Sequence, residues 1–319
     1  MDALRVISPL TGRANVETIR RIPVSRLQRF YRDHLGVDID RFVGDLDAVE
    51  VCRCLDTGFE FYWPLTTAGD ASFYDDISKH PWYYDPDRWE HREAAGWLEE
   101  ARTVVDVGCG DGAFLELVGK RSAAIERLGL ELSPDAARVA REGGADVVNQ
   151  SLEVFARDNG GRADVVTAFE VLEHVVDPLR FIIDLVSVAK PGGLVIIGVP
   201  DNDGFTAETE EILGGALNMP PHHIGRWRRS SLESIVDIAP VTLVRVAHEP
   251  LEKPARDRLA YARVARVLGN GRLAGLAWRA RLHRLYSRVG AAALVRVGGP
   301  TILVAFRRLS DVPQERRNG

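Results

Sequence analysis

Cysteine is scarce in this chain of 319 residues. Only Cys52, Cys54 and Cys109 are present, too few for a disulfide framework, and the first two sit too close together to staple distant parts of a fold. No uninterrupted apolar run approaches the roughly 18 residues that would span a bilayer. The opening residues Met1, Asp2, Ala3, Leu4 and Arg5 lack the charged-then-apolar order of a secretion signal. These absences lead us to expect a protein of a reducing compartment, located in the cytoplasm. Internal repeats and low-complexity stretches are missing too, and only the polar tail 311–319 reads as disordered.

What is present supports a buried core, since 45% of the residues are apolar. The formal net charge of -5 conceals an asymmetry. Between Lys253 and Arg296 eleven Lys or Arg face a single acid, Asp257, which leaves -15 for the rest of the chain. We read this basic stretch first as a solvated helical surface. Contact with an anionic substrate, nucleic acid or membrane lipid is the alternative. Arg279, Arg281, Arg284 and Arg288 lie among Leu282, Leu285 and Val289 at helical spacing, which suits peripheral membrane contact through an interfacial helix. No motif speaks to oligomeric state.

Residues 103–200 alternate strand-like and helix-like segments, the pattern of a parallel sheet with crossover helices. Strands are expected over 103–107, 127–131, 146–149, 163–169 and 194–199. Helices are expected over 113–120, 133–142, 152–157 and 178–189. Ser133 before Pro134 reads as an N-cap with proline at the first helical position, and Pro191, Gly192 and Gly193 mark a helix stop. Two further strands, 241–247 and 301–306, would close the sheet and carry residues 250–298 as a helical basic insertion. Residues 1–95 differ in character, with eleven of the 24 aromatics falling between Phe59 and Trp97. We therefore expect an N-terminal module over 1–95 and a second domain over 96–310.

The run Val104 to Gly112 places an apolar strand directly before Gly108, Gly110 and Gly112 and then a helix. Glycines there let the backbone turn tightly and approach a ligand closely. Gly108, Gly110 and Ala113, with Glu131 at about the distance of a ribose-binding acid, also satisfy a dinucleotide fingerprint. Three features oppose that dehydrogenase reading. Asp106 ends the first strand, where a carboxylate would repel a pyrophosphate. Phe169, Glu170, Val171, Leu172, Glu173 and His174 follow the fourth strand. Lys190, Pro191, Gly192 and Gly193 precede the fifth.

Together these motifs resemble the class I methyltransferase family across 103–200. The resemblance implies a Rossmann-like α/β sheet, here with a small N-terminal module and a helical insertion near the C-terminus, and S-adenosylmethionine as cofactor. It implies that Asp106, Gly108, Cys109, Gly110 and Gly112 surround the methionine portion, with Cys109 a loop residue rather than a reactive thiol. Glu131 would bind the ribose hydroxyls, Leu132, Ser151 and Leu152 would border the adenine, and Phe169 and Glu170 would line the methyl-transfer pocket.

Methyl transfer to a hydroxyl needs alignment and a base. His174 is the first candidate, with Glu170, His222 and His223 beside it. Glu170, Glu173 and His174 are spaced i, i+3, i+4, so a helical turn would put them on one face. Such a face could hold a divalent cation with His222 or His223. It resembles the metal motif of small-RNA 2′-O-methyltransferases and ubiquinone-pathway O-methyltransferases. The reading we favour is metal-free, with this string shaping the pocket.

In the N-terminal module, Ser8 to Thr11 and Cys54 to Thr57 resemble the positions of two zinc-ribbon knuckles in a group of bacterial methyltransferases. Only Cys54 keeps a thiol among those ligand positions, so no structural zinc is expected. Phe73, Tyr74, Trp82, Tyr83, Tyr84 and Trp89 resemble the aromatic segment of the same group. Most should pack between module and domain, while Tyr83 and Tyr84 could close over the cofactor or a flat acceptor. The favoured activity is O-methylation of a small-molecule, glycan or nucleotide-sugar acceptor. RNA methylation through the basic insertion and a non-catalytic cofactor-binding scaffold are the alternatives.

Overall fold

The computed structural model describes residues 5–80, 83, 87–213, 218–268, 276, 279–280 and 298–310. Trp82, Tyr84, the arginines at 281, 284 and 288, and the tail 311–319 lie outside these described residues.

The chain opens with β1 (Val16–Pro23), α1 (Val24–Leu35), α2 (Asp40–Val43), β2 (Ala48–Cys54) and β3 (Glu60–Trp63). The three strands pair antiparallel in that order. On one face α1 and α3 (Ala71–Ile77) bury Leu27, Tyr31, Phe73 and Ile77 against Val49, Val51 and Tyr62. Residues 8–13 and the β2–β3 connection form two turns of one design. Gly12 N donates to Ser8 O, and Ser8 N to Arg13 O, both at 2.9 Å. In the same way Gly58 N donates to Cys54 O, and Cys54 N to Phe59 O, both at 2.8 Å. Gly12 and Gly58 take φ of 68° and 71°, which an L side chain rarely adopts. Burial disfavours the Cys54 thiolate, but hydrogen bonds from Ser8, Thr57 and Thr11 outweigh it and lower the thiol pKa overall.

After α4 (Trp89–Ala95) come β4 (Thr103–Val107), α5 (Ala113–Arg121), β5 (Glu126–Leu130), α6 (Pro134–Glu142), β6 (Asp146–Val148), α7 (Leu152–Asp158), β7 (Ala163–Phe169), α8 (Pro178–Val188) and β8 (Ala189–Pro200). Ser133, Ser151 and Asp177 cap α6, α7 and α8 through side-chain oxygens, each satisfying an amide that the helix leaves unpaired. The chain continues through α9 (Gly204–Leu213), β9 (Gly225–Arg226), α10 (Arg229–Glu233), β10 (Val241–His248), α11 (Lys253–Leu268) and β11 (Thr301–Arg308). The large sheet runs β10-β11-β8-β7-β4-β5-β6. Its strands are parallel from β6 to β8, and β11 lies antiparallel to both β8 and β10. This is the Rossmann-like α/β sheet that the sequence led us to expect.

The expected elements are present with shifted edges. The largest shift concerns β8: α8 ends at Val188, ahead of Pro191, Gly192 and Gly193 as expected, but the strand already starts at Ala189 and includes those residues. The reason is a bulge. Ala189 pairs with Ala163, and pairing resumes with Leu194 opposite Val165. The residues between are held by Lys190 Nζ on Asp164 at 2.6 Å. The described part of the basic insertion, α11, packs on α9. Arg263 makes a bidentate pair with Glu208, both bonds 2.7 Å, so this arginine is engaged within the molecule. No described helix is long and apolar enough to cross a membrane.

The small sheet is not built from the N-terminal residues alone, because β9 adds its fourth strand beside β3. Trp227, fully buried, packs on Phe59 with ring centroids 4.4 Å apart and planes tilted by 39°. Beside it, Arg226 is buried between Glu60 (3.3 Å) and Glu210 (2.8 Å), with the Tyr62 hydroxyl at 3.0 Å. A buried ion pair stripped of one partner leaves a desolvated charge. We therefore expect Arg226→Ala to lower unfolding free energy by about 3 kcal/mol, measured by urea denaturation. The lower end of the range applies because Glu60 keeps Arg53 and Arg228, and Glu210 keeps Arg20.

Candidate active site

Strand β4 ends on Asp106 and Val107 and hands the chain to a loop of unusual backbone. Gly108, Gly110 and Gly112 have φ of 72°, 55° and 86°. A Cβ on Gly108 would stand 2.5 Å from Val171 Cγ2, so the loop can be followed only by glycine there. Glu131, just after β5, braces it from the side. Its two oxygens accept from Gly110 N at 2.9 Å and Ser133 N at 2.7 Å. Asn149 Nδ2 donates to the carbonyls of Glu131 and Leu132 at 2.7 and 3.0 Å. Leu132 is 69% exposed, an apolar side chain left open at the rim. Ser151 caps α7 through the amide of Val154, and Leu152 is buried beneath it. Cys109 is buried, and desolvation followed by the Asp106 and Glu131 charges raises its thiol pKa. That keeps it a thiol.

Asp106 is 2% exposed and accepts from Thr167 Oγ1, on the neighbouring β7, at 2.6 Å. Among the described residues no Lys or Arg pairs with it. Burial raises its pKa to about 7. A buried carboxylate in this condition is suited to a ligand that brings its own cation.

Phe169, at the end of β7, packs on Phe114 at 4.8 Å. Glu170 follows with φ of 53°, a strained value for a non-glycine residue. A helical turn across 170–174, the condition for one shared face, does not form. Only Leu172–His174 form a 3₁₀ turn, and Glu170 stands outside its register because the chain bends sharply as it leaves the sheet. The side chains nevertheless converge. Burial, then Glu90, pushes the Glu170 carboxyl up to about 8. Burial, then Glu170, raises Glu173. The two carboxyls stand within hydrogen-bonding reach of one another, and no donor from any other described residue bonds either Glu173 oxygen or Glu170 Oε1.

The segment 218–224 brings His222 and His223 to this point. His174 Nδ1 lies 2.6 Å from His222 O; a carbonyl can only accept, so Nδ1 carries the proton and Nε2 is bare. That Nε2 is 3.8 Å from Glu173 Oε1, and His223 Nε2 is 3.9 Å from the same oxygen. Ligand atoms of His174, His222 and His223 lie within 4.8 Å of one another. Burial lowers the His174 pKa to about 4 and lowers that of His223 as well, so both imidazoles are neutral. The N-terminal tyrosines hold the segment in place. Tyr31 OH donates to Met219 O at 2.8 Å, Tyr62 OH to Asn218 O at 2.5 Å, and Tyr74 OH to His222 O at 2.8 Å. Tyr83 stands 6.2 Å ring to ring from His222.

A family model described as a methyltransferase domain matches residues 80–242. The chain belongs to that family. It is similar to the ubiquinone biosynthesis O-methyltransferase of Azotobacter vinelandii (strain DJ), 33% identical over 171 residues, 46% of this chain and 72% of that protein. The protein of the same name from Xanthomonas campestris pv. campestris (strain B100) is 36% identical over 191 residues, 54% and 77%. For others, such as that of Vibrio parahaemolyticus, the match spans 42% of the relative. The solved complex between the Haloferax volcanii Trm112 methyltransferase activator and a methyltransferase shares the fold, with TM-score 0.50, 17% identity, and 71% and 91% of the two chains covered. As a class I methyltransferase the chain uses S-adenosylmethionine as its methyl donor, and the residues around Asp106 fit that group: a glycine cradle that Cβ atoms would fill and a buried carboxylate lacking a cation.

Sequence reasoning named Asp106, the glycine loop and residues 170–174 but missed Thr167, Asn149, Asn202 and Asn218. A polar residue inside an otherwise apolar central strand, as Thr167 is, was the available signal. The state of Asp106 generates a prediction. A ligand ammonium favours the ionised form, so binding expels a proton from a group whose pKa without ligand is about 7. Affinity for S-adenosylhomocysteine should climb from pH 5 to 7, by up to about tenfold per unit, and level off above. In Asp106→Asn, calorimetry should show weaker binding and a flat profile over that range.

Proposed function

We propose that the chain methylates a hydroxyl oxygen of a small-molecule acceptor, a glycan or nucleotide sugar included. The observation that carries this reading is the buried group of Glu170, Glu173, His174 and His223 at the carboxyl end of β7, where open α/β sheets bind their ligands. The names of the similar ubiquinone biosynthesis O-methyltransferases support the acceptor atom. Asp106 and the Gly108 to Gly112 loop would hold the methionine portion of the cofactor, Cys109 lying within that loop. Glu131 would take the ribose hydroxyls, Leu132, Ser151 and Leu152 would border the adenine, and Phe169 would line the pocket.

When bound, S-adenosylmethionine supplies an electrophilic methyl on a sulfonium. The protein's task is to align the acceptor oxygen and remove its proton as the new C–O bond forms. Glu170, with a carboxyl held near 8, is matched to that proton transfer. His174 Nε2 and His223 Nε2 are neutral acceptors beside it, and His222 shapes the wall by stacking on His223 at 4.5 Å. We expect Glu170→Gln and His174→Ala each to lower turnover by roughly 10²- to 10⁴-fold in a screen of hydroxyl acceptors with methyl-labelled cofactor, with S-adenosylhomocysteine binding retained. Unchanged turnover in both would remove these roles.

A second reading is favoured by one observation: two bare imidazole nitrogens face one oxygen of the buried Glu173 carboxyl, at 3.8 and 3.9 Å. Glu173, His174 and His223, with Glu170 beside them, would hold a divalent cation, and their Nδ1 atoms are already tied to acceptors, as in metal sites. Such a cation would supply Lewis acidity toward the acceptor oxygen. Metal analysis of protein purified without chelator should then give one ion per chain, lost in Glu173→Gln. Sub-stoichiometric metal in active protein would leave the base reading alone.

A further inference from the structure

One nitrogen of His223 faces Glu173 and the other is tied into the protein by a chain of hydrogen bonds whose direction is forced. The carbonyl of Pro200, at the end of β8, can only accept, and it takes a bond from Asn202 Nδ2 at 3.1 Å. This turns Asn202 Oδ1 toward Asn218, whose Nδ2 donates to it at 2.6 Å. The same Nδ2 points at Glu210 Oε2, 3.5 Å away, a carboxylate paired with Arg226. Asn218 therefore presents Oδ1 to His223 Nδ1 at 3.2 Å, and an amide oxygen can only accept. Asn202 and Asn218 are 1% and 7% exposed, so bulk water does not compete for these groups.

We infer that Asn218 is a positioning residue: through this one-way relay it fixes His223 in the Nδ1–H form and aims a bare Nε2 at the pocket, 3.9 Å from Glu173 Oε1. The inference rests on the reading of 170–174 and 218–224 as the acceptor side. An amide suits the place because it offers a donor at one end and an acceptor at the other. Aspartate keeps the acceptor toward His223, and its second oxygen, protonated beside Glu210, keeps a donor toward Asn202 Oδ1. Leucine keeps neither.

The test uses the full chain labelled with ¹⁵N in histidine, and His223 is assigned by the signals lost in His223→Gln. The wild-type spectrum should show His223 with a protonated Nδ1 and a bare Nε2. Asn218→Leu should shift both nitrogens toward the Nε2–H form, and Asn218→Asp should restore the wild-type pattern. Asn202→Leu, further along the relay, should shift them in the same direction by less. Calorimetric binding of S-adenosylhomocysteine in each variant reports that fold and cofactor site persist. A wild-type His223 protonated on Nε2, or a pattern unmoved in both leucine variants, would overturn the assignment. Loss of S-adenosylhomocysteine binding in the wild type would instead strike the functional reading, since the nitrogen pattern is read without it.

Discussion

The hydrogen bond from Thr167 to Asp106 joins the ends of two neighbouring parallel strands at the place where their outgoing loops part. From β4 the chain crosses toward β5 and β6, whereas from β7 it crosses toward β8, so the loops leaving β4 and β7 diverge and open a crevice. In the site we propose, Asp106 would form its floor, the glycine loop one wall, and Glu170 to His174 the other. Were β7 to slip by one residue, Thr167 would turn to the opposite face of the sheet. The floor carboxylate would lose its donor, and both walls would shift relative to it.

The N-terminal residues take part in the site by holding backbone rather than by offering chemistry of their own. Three tyrosines from α1, β3 and α3 each donate to a carbonyl of the histidine-bearing segment, and β9 pairs with β3 directly after it. Together with the buried Arg226, these contacts make the segment part of two folds at once. The imidazoles are thus set by a sheet far from them in sequence, as a preorganised site requires. The strain at Glu170 is held by the same packing: its amide is tied to Gly198 O at 2.8 Å, which keeps the carboxyl turned inward despite the backbone cost.

Much of this was legible in the sequence, because the information was local. The apolar run before Gly108, the cap–proline pair Ser133–Pro134 and the acid at Glu131 each declare themselves within a few residues. The grouping of Glu170, Glu173 and His174 was legible as a spacing, although the spacing suggested a helical face and the chain instead reaches the same convergence through a bend at Glu170. What stayed hidden was non-local. Nothing near Gly225 announces a strand, since two residues become one only when β3 lies alongside. Asn218 reads as an ordinary loop asparagine until Asn202, sixteen residues earlier, is seen to bond it. The bulge at Lys190 to Gly193 depends on Asp164 in the neighbouring strand, and a glycine-rich stretch by itself reads as a stop.

The measurement that tests the account most directly is a calorimetric titration of the purified chain with S-adenosylhomocysteine, with NAD as the control ligand. The account predicts saturable binding of one S-adenosylhomocysteine per chain and none of NAD, because a buried carboxylate at the crevice floor welcomes an ammonium and repels a pyrophosphate. Binding of NAD alone, or of neither, would contradict it.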